Sequence, residues 1–325
     1  MTFLLVDTNN LMHRAKYAIR GSTDDKVGLG FHIILYSLQH CWRKFQAQHV
    51  VFALEGRSWR REAYQEYKAT RRVAQALRTP QEIEEDEYFT HAMNDLIAFL
   101  QKRTNVTVLQ SHGLEADDLI AAWTQRFPNH QHVIISADSD FQQLIAPNVK
   151  LFNGVKNETW TVDGIFDDKN RPVIDKKSGK PIKIEPEWFL FKKIMRGDSS
   201  DNIMSAYPGV RETKLRAAYE DRKTKGFDWN AVMQQSWKDH NGQTHRVMDR
   251  YYQNMELVDL TAQPEPIKQL CNQVIDQSLT KPKVNGVGIW FMKFAQTYGL
   301  DRLSKNPQQL GEILNAGFEG IVSAS

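Results

Sequence analysis

Nine carboxylates in five short clusters are the residues of this 325-residue chain whose types and spacing suit chemistry. They are Asp7, Glu55, the trio Glu115, Asp117 and Asp118 in LEADD, the pair Asp138 and Asp140 in SADSDF, and the pair Asp198 and Asp201 in GDSSDN. If the fold brings them together, they form a dense anionic pocket. Like charges about 4 Å apart repel by roughly 4 kcal/mol per pair at an effective dielectric near 20. Such a pocket persists only with bound protons or with hard divalent cations. Oxygen-only ligands, without His or Cys, favour Mg²⁺ or Mn²⁺ over zinc. The expected chemistry is therefore metal-assisted work on phosphoryl groups.

Short apolar runs must position these acids. Residues 3–6 (FLLV), 50–54 (VVFAL), 106–109, 132–136 (HVIIS) and 149–152 read as buried strands. Segments 9–20, 28–45, 88–103 and 115–126 read as helices, and Thr79-Pro80 is suited to start another. The alternation predicts an α/β fold, a mostly parallel sheet flanked by helices. In such sheets ligands bind beyond the carboxyl ends of the strands. Asp7, Glu55 and Asp138 each follow a strand-like run directly or stand within three residues of its end, so the sequence predicts their convergence on that edge. Segment 153–183, rich in Asp, Lys, Gly and Pro, reads as an exposed hairpin or loop. Beyond it helices dominate. The expected organisation is a metal-binding core over 1–185, with a basic insertion at about 56–90, and a helical region over 186–325.

The totals set limits. A hydrophobic fraction of 41% supports a real core, and the net charge of +3 hides an uneven distribution. From 57 to 78 the chain carries seven basic and two acidic residues, 7 − 2 = +5. A basic segment beside an acid-lined pocket suits a polyanionic substrate. Cys41 and Cys271 have no metal-ligand spacing and read as reduced, buried thiols. No apolar stretch approaches the roughly 20 residues of a membrane span, and the first residues lack a signal-peptide pattern. The expectation is a soluble cytoplasmic monomer with no membrane partner.

Each motif also has a plain structural explanation. LEADD is equally a first helical turn whose acids favour the dipole. Ser and Asp before an apolar run are common caps, and GDSSDN alone is an ordinary turn. A basic helix face is usually a solvated one. Capping does not readily account for the joint occurrence of the clusters, in this order, at strand ends.

That order carries a resemblance. LLVDTNNLMHRA, LEGRSWRREAYQEYKATR, EADD, SADSDF, GDSSDN and PGVRETK resemble the 5′-nuclease superfamily over roughly residues 3–220. This superfamily includes flap endonucleases, the 5′-nuclease domain of bacterial DNA polymerase I and phage RNase H. RYYQNMELVDL and KPKVNGVGIWFMKFAQTYGL look most similar to the C-terminal part of phage RNase H. The resemblance implies a PIN-like 5′-nuclease core with a helical arch. It implies two Mg²⁺ ions, replaceable by Mn²⁺, held by the nine carboxylates. Asp7, Glu55, Glu115 and Asp117 would lie nearer one ion, Asp140, Asp198 and Asp201 nearer the other, with Asp138 central. Glu55 stands where the family usually has Asp.

The resemblance also implies that WRREAYQEYKATRR is the arch, with Lys68 and Arg71 at the scissile phosphate. Arg14, Arg60 and Arg61 would contact nucleic acid, and Tyr64 and Tyr67 would stack on a base. YPGVRETKLRAA resembles a helix–turn–helix element that holds a duplex by its phosphates, through Gly209, Arg211, Lys214 and Arg216. Arg211 replaces a second glycine of the family pattern. The expected activity is Mg²⁺-dependent, structure-selective 5′→3′ exonuclease and flap endonuclease cleavage of RNA primers and DNA 5′ ends in replication. The expected partners are DNA and RNA–DNA hybrids, with a replication clamp or a single-strand-binding protein left open. The alternatives are a PIN-type ribonuclease and an inactive binder of branched DNA.

Overall fold

The computed structural model describes residues 1–18, 20–304 and 307–318. By compactness the chain divides into two units that are not linear in sequence. The first comprises residues 1–58, 78–184 and 268–325; the second comprises 59–77 and 185–267. Two features differ from a single division at 185. The segment 59–77 groups with the second unit, and the chain returns to the first unit for its last helices.

The first unit is built on a seven-stranded sheet: β1 (Thr2–Asp7), β2 (His49–Ala53), β3 (Thr107–Leu109), β4 (Gln131–Ile135), β5 (Val149–Asn153), β6 (Glu158–Thr161) and β7 (Gly164–Phe166). The strand order is β3-β2-β1-β4-β5-β6-β7. The first five are parallel, and β6 and β7 are antiparallel additions from the segment expected to be an exposed hairpin or loop. The chain runs from β1 outward through β2 to β3, then returns past β1 to β4. The carboxyl ends of β1 and β4 thus flank a topological switch point, where doubly wound sheets open a crevice.

Burial explains the strand composition. Phe3, Leu4, Leu5 and Val6 of β1 are all fully buried, because helices cover both faces of a parallel sheet. Each such side chain contributes roughly 1.5–3 kcal/mol by leaving water. The helix Thr23–Lys44 begins at a capping box between Ser22 and Asp25 and buries Phe31, Ile34, Leu35 and Leu38 in the same core. The long helix Pro80–Arg103 begins as Thr79-Pro80 predicts, with Thr79 and Glu82 forming a second capping box. The helix Thr8–Ala18 matches the segment read over 9–20 except at its end, where residue 19 lies outside the described residues. The C-terminal helices Val287–Thr297 and Pro307–Asn315 bury Phe291, Phe294, Leu310 and Ile313 in the first unit's core.

The second unit contains the helices Arg60–Ala63, Ala69–Ala76, Pro186–Arg196, Glu212–Asp221, Phe227–Met233 and Val247–Val258. A short hairpin, Ser236–Lys238 with Thr244–Arg246, interrupts the expected all-helical pattern. Its main core joins Trp188, Phe191, Met195, Leu215, Trp229 and Val247. Among the described residues, no helix is long and apolar enough to cross a membrane.

Two histidines are buried on either side of β1. His49 and His132 are the cross-strand neighbours of Phe3, and His132 stacks on its ring at 5.5 Å between centroids. The His49 ring lies between the Ala316 carbonyl (2.7 Å) and the Thr107 hydroxyl (2.8 Å). His132 Nε2–H donates to the Phe127 carbonyl at 2.9 Å, and its Nδ1 is buried with no hydrogen-bond partner. Burial pushes both imidazoles down to about 4. With the folded pKa below the unfolded one, the unfolded chain binds more protons between pH 6.5 and 4, so stability falls as pH falls through that window. The full loss is roughly 3 kcal/mol per histidine. Gln in place of His132 keeps an N–H donor without a titrating ring. Urea unfolding of His132→Gln should therefore show a smaller acid-side loss than the unaltered protein. Equal losses in the two proteins would show that this ring does not stay neutral in the fold.

Candidate active site

Asp7 is the last residue of β1 and is 8% exposed. Its Oδ2 accepts from the Ser136 hydroxyl at 2.8 Å and its Oδ1 from the Asn10 N–H at 3.3 Å. Ser136, just past β4, also accepts the Asp138 N–H at 3.0 Å, so one buried hydroxyl joins the acid after β1 to the acid after β4. Asp138 is exposed and caps a 3₁₀ turn, its Oδ1 accepting from the Asp140 N–H at 2.9 Å.

The LEADD acids open the helix Ala116–Arg126, with Glu115 in the N-cap position. Glu115 is 2% exposed, and the buried Ser58 hydroxyl donates to its Oε2 at 2.5 Å. Asp118 Oδ2 accepts the Glu115 N–H at 3.1 Å, so this acid does serve as a cap. Asp117 Oδ1 accepts the Asp118 N–H at 2.8 Å. Capping does not exhaust the cluster. One carboxylate oxygen from each of Glu115, Asp117 and Asp118 lies within 4.8 Å of the others. At that separation each pair of ionised groups repels by roughly 3.5 kcal/mol at an effective dielectric near 20.

Glu55 stands two residues beyond β2 and reaches the same helix, its Oε2 accepting from the Ala116 N–H at 3.1 Å. Its own N–H donates to Asn9 Oδ1 at 3.1 Å. Gly56 follows because no side chain fits there: a Cβ would lie 2.0 Å from the Ser111 carbonyl oxygen and 2.6 Å from that of Leu114. Within the first unit, hydrogen bonds thus join Asp7 to Asp138 and Asp140 through Ser136, and Glu55 to the LEADD helix. Sequence reasoning did not single out Ser58, Ser136, Asn9, Asn10 or Gly56. Their signal was only their adjacency to acidic motifs.

Asp198 and Asp201 belong to the second unit. Burial raises the Asp198 carboxyl, but Lys193 at 2.8 Å and the Ser200 hydroxyl at 2.7 Å more than offset this and bring it down to about 2. Asp201 accepts from Arg71 at 2.7 Å and from the Tyr67 hydroxyl at 3.2 Å, with Lys68 Nζ at 4.0 Å. The Lys68 N–H donates to the Asp201 carbonyl at 2.9 Å, and Asn202 Oδ1 accepts both the N–H and the hydroxyl of Thr70. Lys68 is held in the left-handed region (φ 54°), an uncommon state for a side chain of this kind. Gly197 meets a similar demand, with φ 71° and the Ile203 carbonyl oxygen 2.3 Å from where a Cβ would stand.

Three of the expected nucleic-acid contacts are engaged elsewhere. Arg60 is 1% exposed and donates from Nε to the Leu257 carbonyl at 2.8 Å, so it is an interior anchor. Tyr67 is 3% exposed within a cluster with Ile194, Ile203, Leu257 and Val258, which leaves no ring face for a base. Arg216 commits its guanidinium to Glu185 at 2.7 Å and Glu220 at 3.0 Å. Arg14, Arg61 and Tyr64 are half-buried, whereas Gly209, Arg211 and Lys214 are exposed. Arg14 reaches the Gly154 carbonyl at 3.4 Å, and Lys214 lies over the Tyr207 ring at the start of the helix Glu212–Asp221.

Known proteins are similar to this chain in sequence and in fold. Residues 2–171, more than half of the chain, match the family described as 5′-3′ exonuclease, N-terminal resolvase-like domain. DNA polymerase I of Rhizobium leguminosarum is 27% identical over 220 residues, 63% of this chain and 19% of that polymerase. A 5′-3′ exonuclease of Mycoplasmopsis pulmonis is 27% identical over 209 residues, 62% of this chain and 60% of the relative. The chain thus spans less than two thirds of the length of these relatives. Among solved structures, the bacteriophage T5 flap endonuclease in complex with DNA and metal ions superposes with a TM-score of 0.60 at 20% identity, covering 96% of this chain and 100% of that one. The T5 5′-exonuclease with zinc gives 0.58 at 19%, with the same coverage. These structural likenesses concern the fold, whose mostly parallel sheet and flanking helices they share. On the family match over residues 2–171, the chain belongs to the 5′-3′ exonuclease family and carries its N-terminal resolvase-like domain.

Proposed function

We propose that this protein is a divalent-metal-dependent, structure-selective 5′-nuclease that hydrolyses phosphodiesters at 5′ ends and 5′ flaps. The observation that carries the proposal is the LEADD trio, whose carboxylate oxygens lie within 4.8 Å of one another at the start of a helix whose Ala116 N–H donates to Glu55. The donor set fits a hard cation: it is oxygen-only, three carboxylates converge, and hydroxyls and backbone amides orient them. Mg²⁺ is the expected ion, two are expected, and Mn²⁺ is the expected substitute. When bound, such ions supply an activated water and a counter-charge for the leaving oxygen.

The chain's own residues hold and orient. Asp7, Glu55, Glu115, Asp117, Asp118, Asp138 and Asp140 are the proposed ligands in the first unit, directly or through water. Asp198 and Asp201 complete the set on the family pattern alone. Lys68 and Arg71 are proposed to meet the phosphate of the 5′ strand, and Arg14, Arg61 and Tyr64 to guide that strand. Gly209, Arg211 and Lys214 are proposed to hold a duplex by its phosphates. Arg216 supports that element through its two carboxylates. The proposed substrates are DNA 5′ ends and RNA primers on DNA, encountered in replication in the cytoplasm. DNA in the T5 complex and the polymerase I relatives support this reading.

Asp117→Asn should abolish cleavage of a 5′-labelled flap in Mg²⁺ while the flap is still retained in Ca²⁺. Products from a flap, a nicked duplex and an RNA–DNA hybrid should appear with Mg²⁺ and not with EDTA. Near-normal turnover by Asp117→Asn, or cleavage in EDTA, would sink the metal-dependent reading.

Duplex anchoring has its own measurement. Each phosphate that a variant no longer neutralises should flatten the slope of log K against log salt by roughly 0.9. Lys214→Ala and Arg211→Ala should each show this flattening. Arg216→Ala should change thermal stability more than the slope, since its guanidinium is already paired. An unchanged slope in both surface variants would mean that the duplex is held elsewhere.

A further inference from the structure

The carboxyl edge of the sheet has a backbone problem that two neighbouring side chains resolve. Where β2 ends, the Leu54, Gly56 and Arg57 N–H groups find the carbonyls of Leu109, Leu114 and His112, while the Glu55 N–H points to Asn9 Oδ1 at 3.1 Å. Where β4 ends, the Ser136 N–H goes to the Phe152 carbonyl and the Asp138 N–H to Ser136 Oγ, while the Ala137 N–H points to Asn10 Oδ1 at 3.1 Å. Asn10 also gives its own N–H to Asp7 Oδ1 at 3.3 Å. Asn9 and Asn10 lie in the first turn of the helix Thr8–Ala18, directly after β1. Successive residues on a helix point about 100° apart. One amide therefore reaches toward β2 and the next toward β4, the two strands that pair with β1.

We infer that Asn9 and Asn10 are positioning residues that set the spacing of the acids on β1, β2 and β4 for metal. The inference rests on the metal reading proposed above. The residue type fits the task. An amide oxygen accepts a backbone N–H as a carboxylate would, but adds no charge to a site already crowded with negative charge. Removing either amide frees Glu55 or Asp138 to move away from its like-charged neighbours, which in turn loosens the geometry that a small cation demands. Partners that orient a metal's ligands typically change metal affinity 10–100-fold when removed.

The experiment is a Mn²⁺ titration, read by water-proton relaxation without nucleic acid, on the full chain and on Asn9→Ala, Asn10→Ala and the double variant. Thermal unfolding in EDTA accompanies each. Asn105→Ala serves as the control for loss of a purely structural amide, since Asn105 joins Val284 and Asn315 at 2.7–2.9 Å away from the acids. The expected result is Mn²⁺ binding weakened roughly tenfold or more in each asparagine variant. Asn105→Ala should lower the unfolding temperature while binding Mn²⁺ as the unaltered protein does. Unchanged Mn²⁺ affinity in both single variants would overturn the inference while leaving the metal reading standing. Equal weakening by Asn105→Ala would also overturn it, because general loosening would then account for the effect. Failure of the unaltered protein to bind Mn²⁺ would overturn the metal reading, and the inference with it.

Discussion

Repulsion among like charges at one edge of a parallel sheet is the constraint around which the first unit is arranged. Asp7, Glu55, Glu115, Asp117, Asp118 and Asp138 each have at least one oxygen taken by a hydroxyl or a backbone N–H. Neutral donors of this kind fix a carboxylate's direction while leaving its charge in place. The two acids of the second unit are treated differently. Lys193 meets Asp198, and Arg71 meets Asp201, each at 2.8 Å or less. There the protein supplies its own cations. Neutral donors thus recur around the acids of the first unit, while a cation sits directly on each of the two acids of the second.

Much of the first unit was legible in sequence because buried parallel strands are written as unbroken apolar runs. FLLV, VVFAL and HVIIS lie within a residue of the observed β1, β2 and β4 at each end. The acids were legible for the same reason, as charged residues placed where an apolar run stops. The hairpin of β6 and β7 was not read as part of the sheet. Its strands are short, its turns are full of Asp, Lys and Gly, and an edge addition needs little apolar sequence. The discontinuous units were illegible because 186–267 and 268–325 both read as helical, and only packing decides which core each helix joins.

Individual basic residues were the hardest to read, for a physical reason. Arg60 and Arg71 look alike in a string of charges, yet Arg60 is buried against a carbonyl and the Trp59 ring while the Arg71 side chain is 57% exposed. An arginine's long apolar stem lets it serve either setting. Tyr64 and Tyr67 pose the same ambiguity at three-residue spacing, and only Tyr67 is fully buried. Local pattern gives the face of a helix, but it does not say whether that face meets solvent or a core. Arg216 differs again: it is accessible, and two carboxylates occupy its fork.

The neighbourhood of Lys68 combines strain with weak pairing. A left-handed backbone at a non-glycine residue costs on the order of 1–3 kcal/mol and persists only where surrounding contacts over-determine it. Here those contacts are the Lys68 N–H on the Asp201 carbonyl and the paired bonds from Thr70 to Asn202, all within the second unit. The backbone of the basic segment is therefore anchored by neutral hydrogen bonds. The Arg71–Asp201 pair adds little to that anchoring, because an ion pair with so exposed a partner is worth at most about 1 kcal/mol. A polyanion competing for Arg71 would displace a weak contact and leave the strong ones intact. The segment keeps its shape while the Arg71 charge stays exchangeable, which suits the phosphate contact proposed for it.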